Sequence, residues 1–250
     1  MHHDYHRPDT REMIFGVQPV REMLAVAPSS ICRLYVKHGA ERRFTPQIQV
    51  VRESGGEIVA ATSTELARMA GAEARHQGII ATVREFAYAT LEQVLAQQPD
   101  PLLLIDGVTD PRNLGAIMRS SECAGAGAIV LARDRTTGVT PAAIKSSAGA
   151  WAHLAVAECG NVAQTLKRLK SDGYWIAAMD PHGDTSLYDL DVARRLTLVL
   201  GSEGRGIREI VRKTADFVVR IPTRGRMNSL NVSVAAAIAL FEIAHRRAIF

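Results

Sequence analysis

Long hydrophobic runs are missing from this 250-residue chain, and no apolar stretch approaches the roughly 20 residues that a bilayer-crossing helix needs. The amino terminus, MHHDYHRPDTRE, has no apolar centre and does not read as a secretory signal. Cysteine is scarce. Cys32, Cys123 and Cys159 stand far apart with no CxxC spacing, which leaves no disulfide framework and no thiolate zinc site, and points to a reducing, cytoplasmic setting. His2, His3 and His6 fall in the polar tail and the other histidines are dispersed, so no metal set emerges. Internal repeats and low-complexity tracts are absent as well. Two nucleotide signatures also fail. Gly201-Ser202-Glu203-Gly204-Arg205-Gly206 lacks the Lys-Ser/Thr pair of a phosphate loop, and Gly125-Ala126-Gly127 precedes a strand-like run where a dinucleotide fingerprint follows one. A membrane protein, a secreted disulfide scaffold, a metalloenzyme and a nicotinamide-dependent oxidoreductase are all disfavoured.

What is present suits a soluble globular protein. Apolar residues make up 47%, mean hydropathy is close to zero, and the length holds one large domain or two modest ones with a real interior. The net charge of +4 is uneven. Residues 1–100 carry −1 and residues 101–250 carry +5, with +4 inside 201–226 alone, from Arg205, Arg208, Arg212, Lys213, Arg220, Arg224 and Arg226. Cations beside a glycine-rich turn fit a phosphate-rich partner, although a solvated helix face accounts equally well for Arg208 and Arg212, four apart.

Helical spacing over Val17–Val26 and Thr45–Ser54 alternates with strand-like Ile31–Val36, Glu57–Ala61 and Gly78–Arg84, and Ser63 stands where it would cap a further helix. This predicts a polar tail over 1–12 and a small α/β domain over 13–84. Residues 85–100 read as a linker with a short helix. Residues 101–250 hold six strand candidates, 102–105, 128–132, 153–157, 174–179, 196–200 and 217–221, with helical patterns such as 113–124 and 161–171 between them. Such alternation predicts an α/β domain with a mostly parallel six-stranded sheet. The final helix, Val232 to His245, is apolar nearly all round, which suits burial in the fold or against another subunit.

Three of the strands run into polar turns followed by helices. Leu102–Ile105 leads into DGVTDPRNLGAIMRSS, Leu196–Leu200 into GSEGRG, and 217–221 into PTRGRMNSLN. Open α/β sheets build their sites at that edge. Ser and Asn at a helix start usually cap free N–H groups, but Asn228, Ser229 and Asn231 exceed what one cap needs, and such a cluster also holds polar ligands. The phrases DGVTDPRNLGA, HQGII and SLNVSVA resemble the SpoU (TrmH-type) 2′-O-ribose RNA methyltransferases of the SPOUT superfamily. The likeness runs from Ile14-Phe15-Gly16-Val17 to the last helix.

That resemblance implies a carboxyl-terminal trefoil knot, S-adenosyl-L-methionine (AdoMet) as methyl donor, and a homodimer formed through the knotted domain. It also implies that residues 13–84 are a ribosomal-protein-like RNA-binding domain. Arg33, Lys37, Arg42 and Arg43 offer a local basic patch there. The phrases are most similar to members that methylate a guanosine ribose of 23S rRNA; a tRNA ribose methylase and a non-catalytic ribosome-assembly factor are the alternatives. The family pattern N-x-G-x-x-x-R falls on Asn113, Gly115 and Arg119, with Asn113 at a helix start, Gly115 open to close RNA approach, and Arg119 acting on the 2′-hydroxyl. Glu203, Ser229 and Asn231 carry over as active-site polar residues, and the backbone of Gly201, Ile221 and Leu230 as the AdoMet pocket. Arg112, Arg205, Arg224 and Arg226 are the expected RNA-facing cations. A guanidinium stays protonated under almost all conditions, so Arg119 suits orientation and charge stabilisation better than proton removal.

Overall fold

Short runs rich in β-branched residues, leucine or alanine become strands throughout this chain. The computed structural model describes residues 12–71, 75–227 and 229–247, and it divides into two units, the first ending at Phe86 and the second starting at Ala87.

In the first unit, β1 (Glu12–Phe15), α1 (Val17–Val26), β2 (Ile31–Lys37), α2 (Thr45–Glu53), β3 (Glu57–Ala61), α3 (Ser63–Ala70) and β4 (Ile79–Val83) follow in order. The sheet order is β1-β4-β2-β3; β4 runs antiparallel to both its neighbours, whereas β2 and β3 are parallel. All five residues of β4 are buried, as a central strand requires. Two expectations need correction. Residue 12 belongs to β1 and not to a tail, and the rest of the expected tail lies outside the described residues. The cap of α3 is Thr62 and not Ser63: Thr62 accepts from the Glu65 N–H at 3.2 Å while Glu65 accepts from the Thr62 N–H at 2.7 Å, a reciprocal capping box.

The second unit begins with α4 (Leu91–Ala96) and continues through β5 (Leu102–Ile105), α5 (Pro111–Cys123), β6 (Ala128–Ala132), α6 (Pro141–Ser146), β7 (Ala155–Cys159) and α7 (Val162–Ser171). It ends with β8 (Trp175–Met179), β9 (Thr185–Ser186), β10 (Leu196–Leu200), α8 (Glu209–Thr214), β11 (Phe217–Arg220) and α9 (Val232–Arg246). The expected linker is no spacer: α4 packs on β7, and Val94 is fully buried in the core of this unit. The sheet has seven strands in the order β7-β6-β5-β10-β8-β11-β9, all parallel. The strand beyond the six expected is β9, two residues long and too short for periodicity to register.

Parallel strands covered on both faces need apolar side chains on both faces. Leu102 and Leu104 join the cluster beneath α4, α7 and α8, and by the two-residue period of a strand Leu103 and Ile105 face the other way. All four are fully buried, each contributing about 2 kcal/mol of hydrophobic stabilisation. On that second face α5 packs against α6 and α9.

Candidate active site

Because the seven strands run in one direction, their carboxyl ends form one edge. The chain winds outward from β5 to β7, then restarts at β8, and β10 fills the gap between β5 and β8. Ligand sites of open α/β sheets lie at such a reversal, outside the strand ends.

Gly201 follows β10 at this reversal. A Cβ there would stand 2.3 Å from the carbonyl carbon and oxygen of Gly206, so only glycine lets the chain double back so tightly. Ser202 and Gly206 close the turn, each N–H donating to the other's carbonyl at 3.0 and 2.9 Å. The turn throws Glu203, Gly204 and Arg205 out to solvent.

Two ion pairs moor the segment that follows. Arg208 Nε donates to Asp106 Oδ2 at 2.5 Å, and Arg212 Nη2 to Asp180 Oδ2 at 2.7 Å; both carboxylates are buried at strand ends. A desolvated carboxylate needs such a partner. Arg220 donates to the carbonyls of Gly183 and Asp184, and Lys213 pairs with Glu209 at 3.5 Å. The basic cluster of 201–226 is therefore not one phosphate patch, nor are Arg208 and Arg212 a solvated face. Arg205, Arg224 and Arg226 remain exposed, their guanidinium groups without a hydrogen bond or ion pair among the described residues.

The expected cap role of Asn113 passes to Asp110, whose carboxylate accepts from the Arg112 N–H at 2.8 Å, with Pro111 at the first helical position. The side chain of Asn113 is thus free for other partners. Its Nδ2 donates to Glu203 Oε1, and its Oδ1 accepts from Asn231 Nδ2 at 3.2 Å. Asn231 is itself the cap of α9, accepting from the Ser233 N–H at 2.8 Å and the Ser233 hydroxyl at 2.6 Å. Asn231 thus caps a helix and joins the polar chain at once. A carboxylate, two amides and a helix start are linked in one run.

Beside this run lies a cavity of about 360 Å³, lined by Met179, Gly201, Glu203, Ile221, Ser229 and Leu230 among others. Apolar walls against an open backbone turn suit a flat ring with polar edges, and the size falls in the range of small-ligand sites. Leu230, 41% exposed, offers its apolar surface to such a guest. Asn228 lies outside the described residues.

Other expected residues fall elsewhere. Arg119 is exposed on α5, six positions past Asn113 and so on a different face; it does not line the cavity and has no hydrogen bond or ion pair among the described residues. Gly115 does not open α5 to RNA. A Cβ there would meet the carbonyl of Ala143 at 2.4 Å and Ser146 Cβ at 2.5 Å, so its surface is taken by α6. Arg112 pairs with Asp110 at 3.1 Å yet leaves its side chain 81% exposed, and this guanidinium holds the Asp110 carboxyl below its usual range. Sequence reading passed over Asp106, Asp180 and His182 at this edge. Each sits just beyond a strand in a polar turn, the same signal that marked the three motifs. Among the described residues no group of histidine, cysteine and acidic side chains is arranged to hold a metal, and no helix is long and apolar enough to cross a membrane.

Residues 100–241 match the SpoU rRNA Methylase family, and residues 13–89 match the family described as RNA 2′-O ribose methyltransferase substrate binding. The chain belongs to the SpoU rRNA methylase family. Over 242 residues this SpoU methylase is 36% identical to the 23S rRNA (guanosine-2′-O-)-methyltransferase RlmB of Shewanella oneidensis, an alignment spanning 95% of this chain and 98% of the relative. The RlmB of Escherichia coli is 36% identical over 241 residues, 94% and 99% of the two chains. In fold it is similar to the SpoU methyltransferase AviRb of Streptomyces viridochromogenes, solved in complex with AdoMet, with a TM-score of 0.69 at 22% identity over 95% and 91% of the two chains. The SpoU methylase is accordingly an RNA methyltransferase of α/β architecture.

Proposed function

We propose that this protein transfers the methyl group of AdoMet to the ribose 2′-hydroxyl of a guanosine in 23S rRNA. The observation that carries this is the run Glu203–Asn113–Asn231, drawn from three distant parts of the chain to the lip of a ligand-sized cavity. The names of the two relatives with matched length supply the substrate. A member that modifies tRNA keeps the same chemistry, but the matched substrate-binding segment at 13–89 favours rRNA.

The cavity fits AdoMet in both size and character. Ile221 and Leu230 offer apolar surface to an adenine ring, and the Gly201–Gly206 turn brings backbone polar groups to its edge. When bound there, AdoMet supplies a methyl group already activated on a sulfonium. Positioning then provides much of the rate, because aligning two reactants removes the entropy of their encounter. Asn113 and Asn231, fixed by each other and by Glu203, present amide groups that orient the ribose; Ser229 adds a hydroxyl at the same wall. Arg119 does not line this protomer's cavity and acts across the homodimer interface, where its cationic guanidinium orients the acceptor hydroxyl and stabilises the charge developing on it. Arg112, Arg205, Arg224 and Arg226 face the RNA. The 13–84 domain grips the rRNA outside the reacting nucleotide.

The protein works in the cytoplasm as a homodimer formed through the second unit. Val234 and Met227 leave 45% and 76% of their surface exposed near the start of α9, an apolar face suited to a second copy. In this unit the segment after the strand 196–200 threads a loop to form the family's trefoil knot. Sedimentation at micromolar concentration tests the dimer, and a monomer would remove it.

The deciding experiment is transfer of labelled methyl from AdoMet to total RNA of a strain lacking this gene, with the modified site mapped. Label on a single 23S guanosine ribose is the expected result. Label on tRNA overturns the substrate. Absence of both transfer and AdoMet binding favours a non-catalytic assembly factor; absence of transfer with AdoMet still bound points to an assembly-stage substrate.

A further inference from the structure

Beyond the Ser202–Gly206 turn, a second cavity of about 500 Å³ opens at the carboxyl ends of β5 and β10, lined by Gly107, Thr109, Arg135, Glu203 and Arg205 among others. A third, of about 320 Å³, continues past the ends of β6 and β7 to the start of α7. Arg135 lines both. The three cavities form a groove along one sheet edge, with the methyl-donor pocket at one end.

The charges in this groove are unequal in freedom. Arg208 is held by Asp106, and Arg133 pairs with Glu158 at 3.3 Å. The Arg135 side chain is exposed and has no hydrogen bond or ion pair among the described residues. Its backbone, by contrast, is fastened from several directions. Thr136 Oγ1 accepts from the Gly107 N–H at 3.1 Å and donates to the Ile105 carbonyl at 3.0 Å. The Thr137 N–H donates to the Val108 carbonyl at 2.8 Å, and the Val139 N–H to the Tyr88 hydroxyl at 2.8 Å. These bonds tie the 133–140 loop to the 106–110 turn that launches α5 and Asn113. Of the acids nearby, Asp106 is paired with Arg208, while Glu203, bonded by the Asn113 amide, and the exposed Asp134 keep their charge, and neither forms an ion pair with Arg135 among the described residues.

A guanidinium left free on a pinned backbone binds a ligand at the cost of ordering its own side chain, with no loop to order besides. Its planar fork matches phosphate oxygens, and Gly204, with open space where a side chain would stand, lets a nucleic-acid backbone come close. We propose that Arg135 binds a backbone phosphate of the RNA flanking the target nucleotide, and that this groove carries the strand away from the reacting ribose. The inference rests on the RNA-methylating reading given above.

The test uses the full-length protein, AdoMet and a 23S rRNA transcript, comparing wild type with Arg135→Glu and Arg135→Lys. Arg135→Glu raises the KM for RNA about tenfold or more, with kcat within about twofold and AdoMet affinity unchanged, and lowers the log–log salt slope of RNA binding by about one. Arg135→Lys recovers part of the loss, since it keeps the charge but not the fork. An Arg135→Glu protein with wild-type KM and salt slope overturns the inference alone. A wild-type protein that methylates no RNA in the transcript removes the functional reading, and the inference with it.

Discussion

The two edges of the seven-stranded sheet are built from the same residue types and put them to opposite uses. At the amino edge every ionic group named here is paired. Asp100 accepts from the Leu196 N–H and Arg247, Asp216 from the Ile176 N–H and Lys170, Arg195 donates to Gln98, and the Tyr174 hydroxyl donates to the Pro99 carbonyl. Even the surface tryptophan there, Trp175, is covered by the Arg194 guanidinium 3.7 Å from its ring centre. At the carboxyl edge two arginines are spent on buried carboxylates, while Arg135 and Arg205 stay free. One edge closes the fold. The other leaves part of its bonding capacity unengaged among the described residues.

Substitutions can break or sharpen this contrast. Arg119→Ala, made in the free set, lowers methyl transfer by about 10²–10³-fold with no change in Tm or AdoMet affinity, the scale expected for one lost charge-stabilising donor; wild-type turnover would take Arg119 out of the reaction. Arg208→Ala strands Asp106 in the interior and costs about 3 kcal/mol in chemical denaturation, a closing residue on the open edge. Turnover should fall with it, because the Glu203 turn loses its mooring. Asp216→Ala, on the amino edge, costs about 2 kcal/mol by removing the acceptor of two donors, yet leaves kcat per folded molecule unaltered. A kcat loss there would erase the distinction between edges.

The smallest effect concerns acid. The Arg112 side chain and N–H depress the Asp110 carboxyl, so its contribution is present above the ordinary carboxylate pKa and is lost as pH falls through the lower folded value. Asp110→Asn keeps the helix cap but loses the charge. Its Tm deficit should be present at neutral pH and vanish in strong acid.

Much of the second unit was legible because buried parallel strands write themselves as unbroken apolar runs: Leu102–Ile105, Ala128–Ala132 and Leu196–Leu200 appear with the expected bounds. Where tertiary partners decide, pattern misled. Asn113 looked like a cap because asparagine often is one, but Asp110 two residues before the helix interior has the better geometry. Gly115 looked like an opening because nothing local reveals that α6, some thirty residues on, presses against it. Thr62 and Ser63 are both good caps, and only the placement of Glu65 decides between them. The run of seven cations in 201–226 hid two populations, which only their partners Asp106 and Asp180 separate.

The bond between Asn231 and Asn113 sets a clock on the protein's birth. Asn113 and Glu203 are synthesised well before Asn231, and the polar run is complete only when the start of α9 docks against α5. A nascent chain folds its earlier segments first, so a molecule stalled before residue 231 holds a sheet and a groove but not the finished constellation. On the reading proposed above, methyl transfer therefore waits until the last helix has emerged.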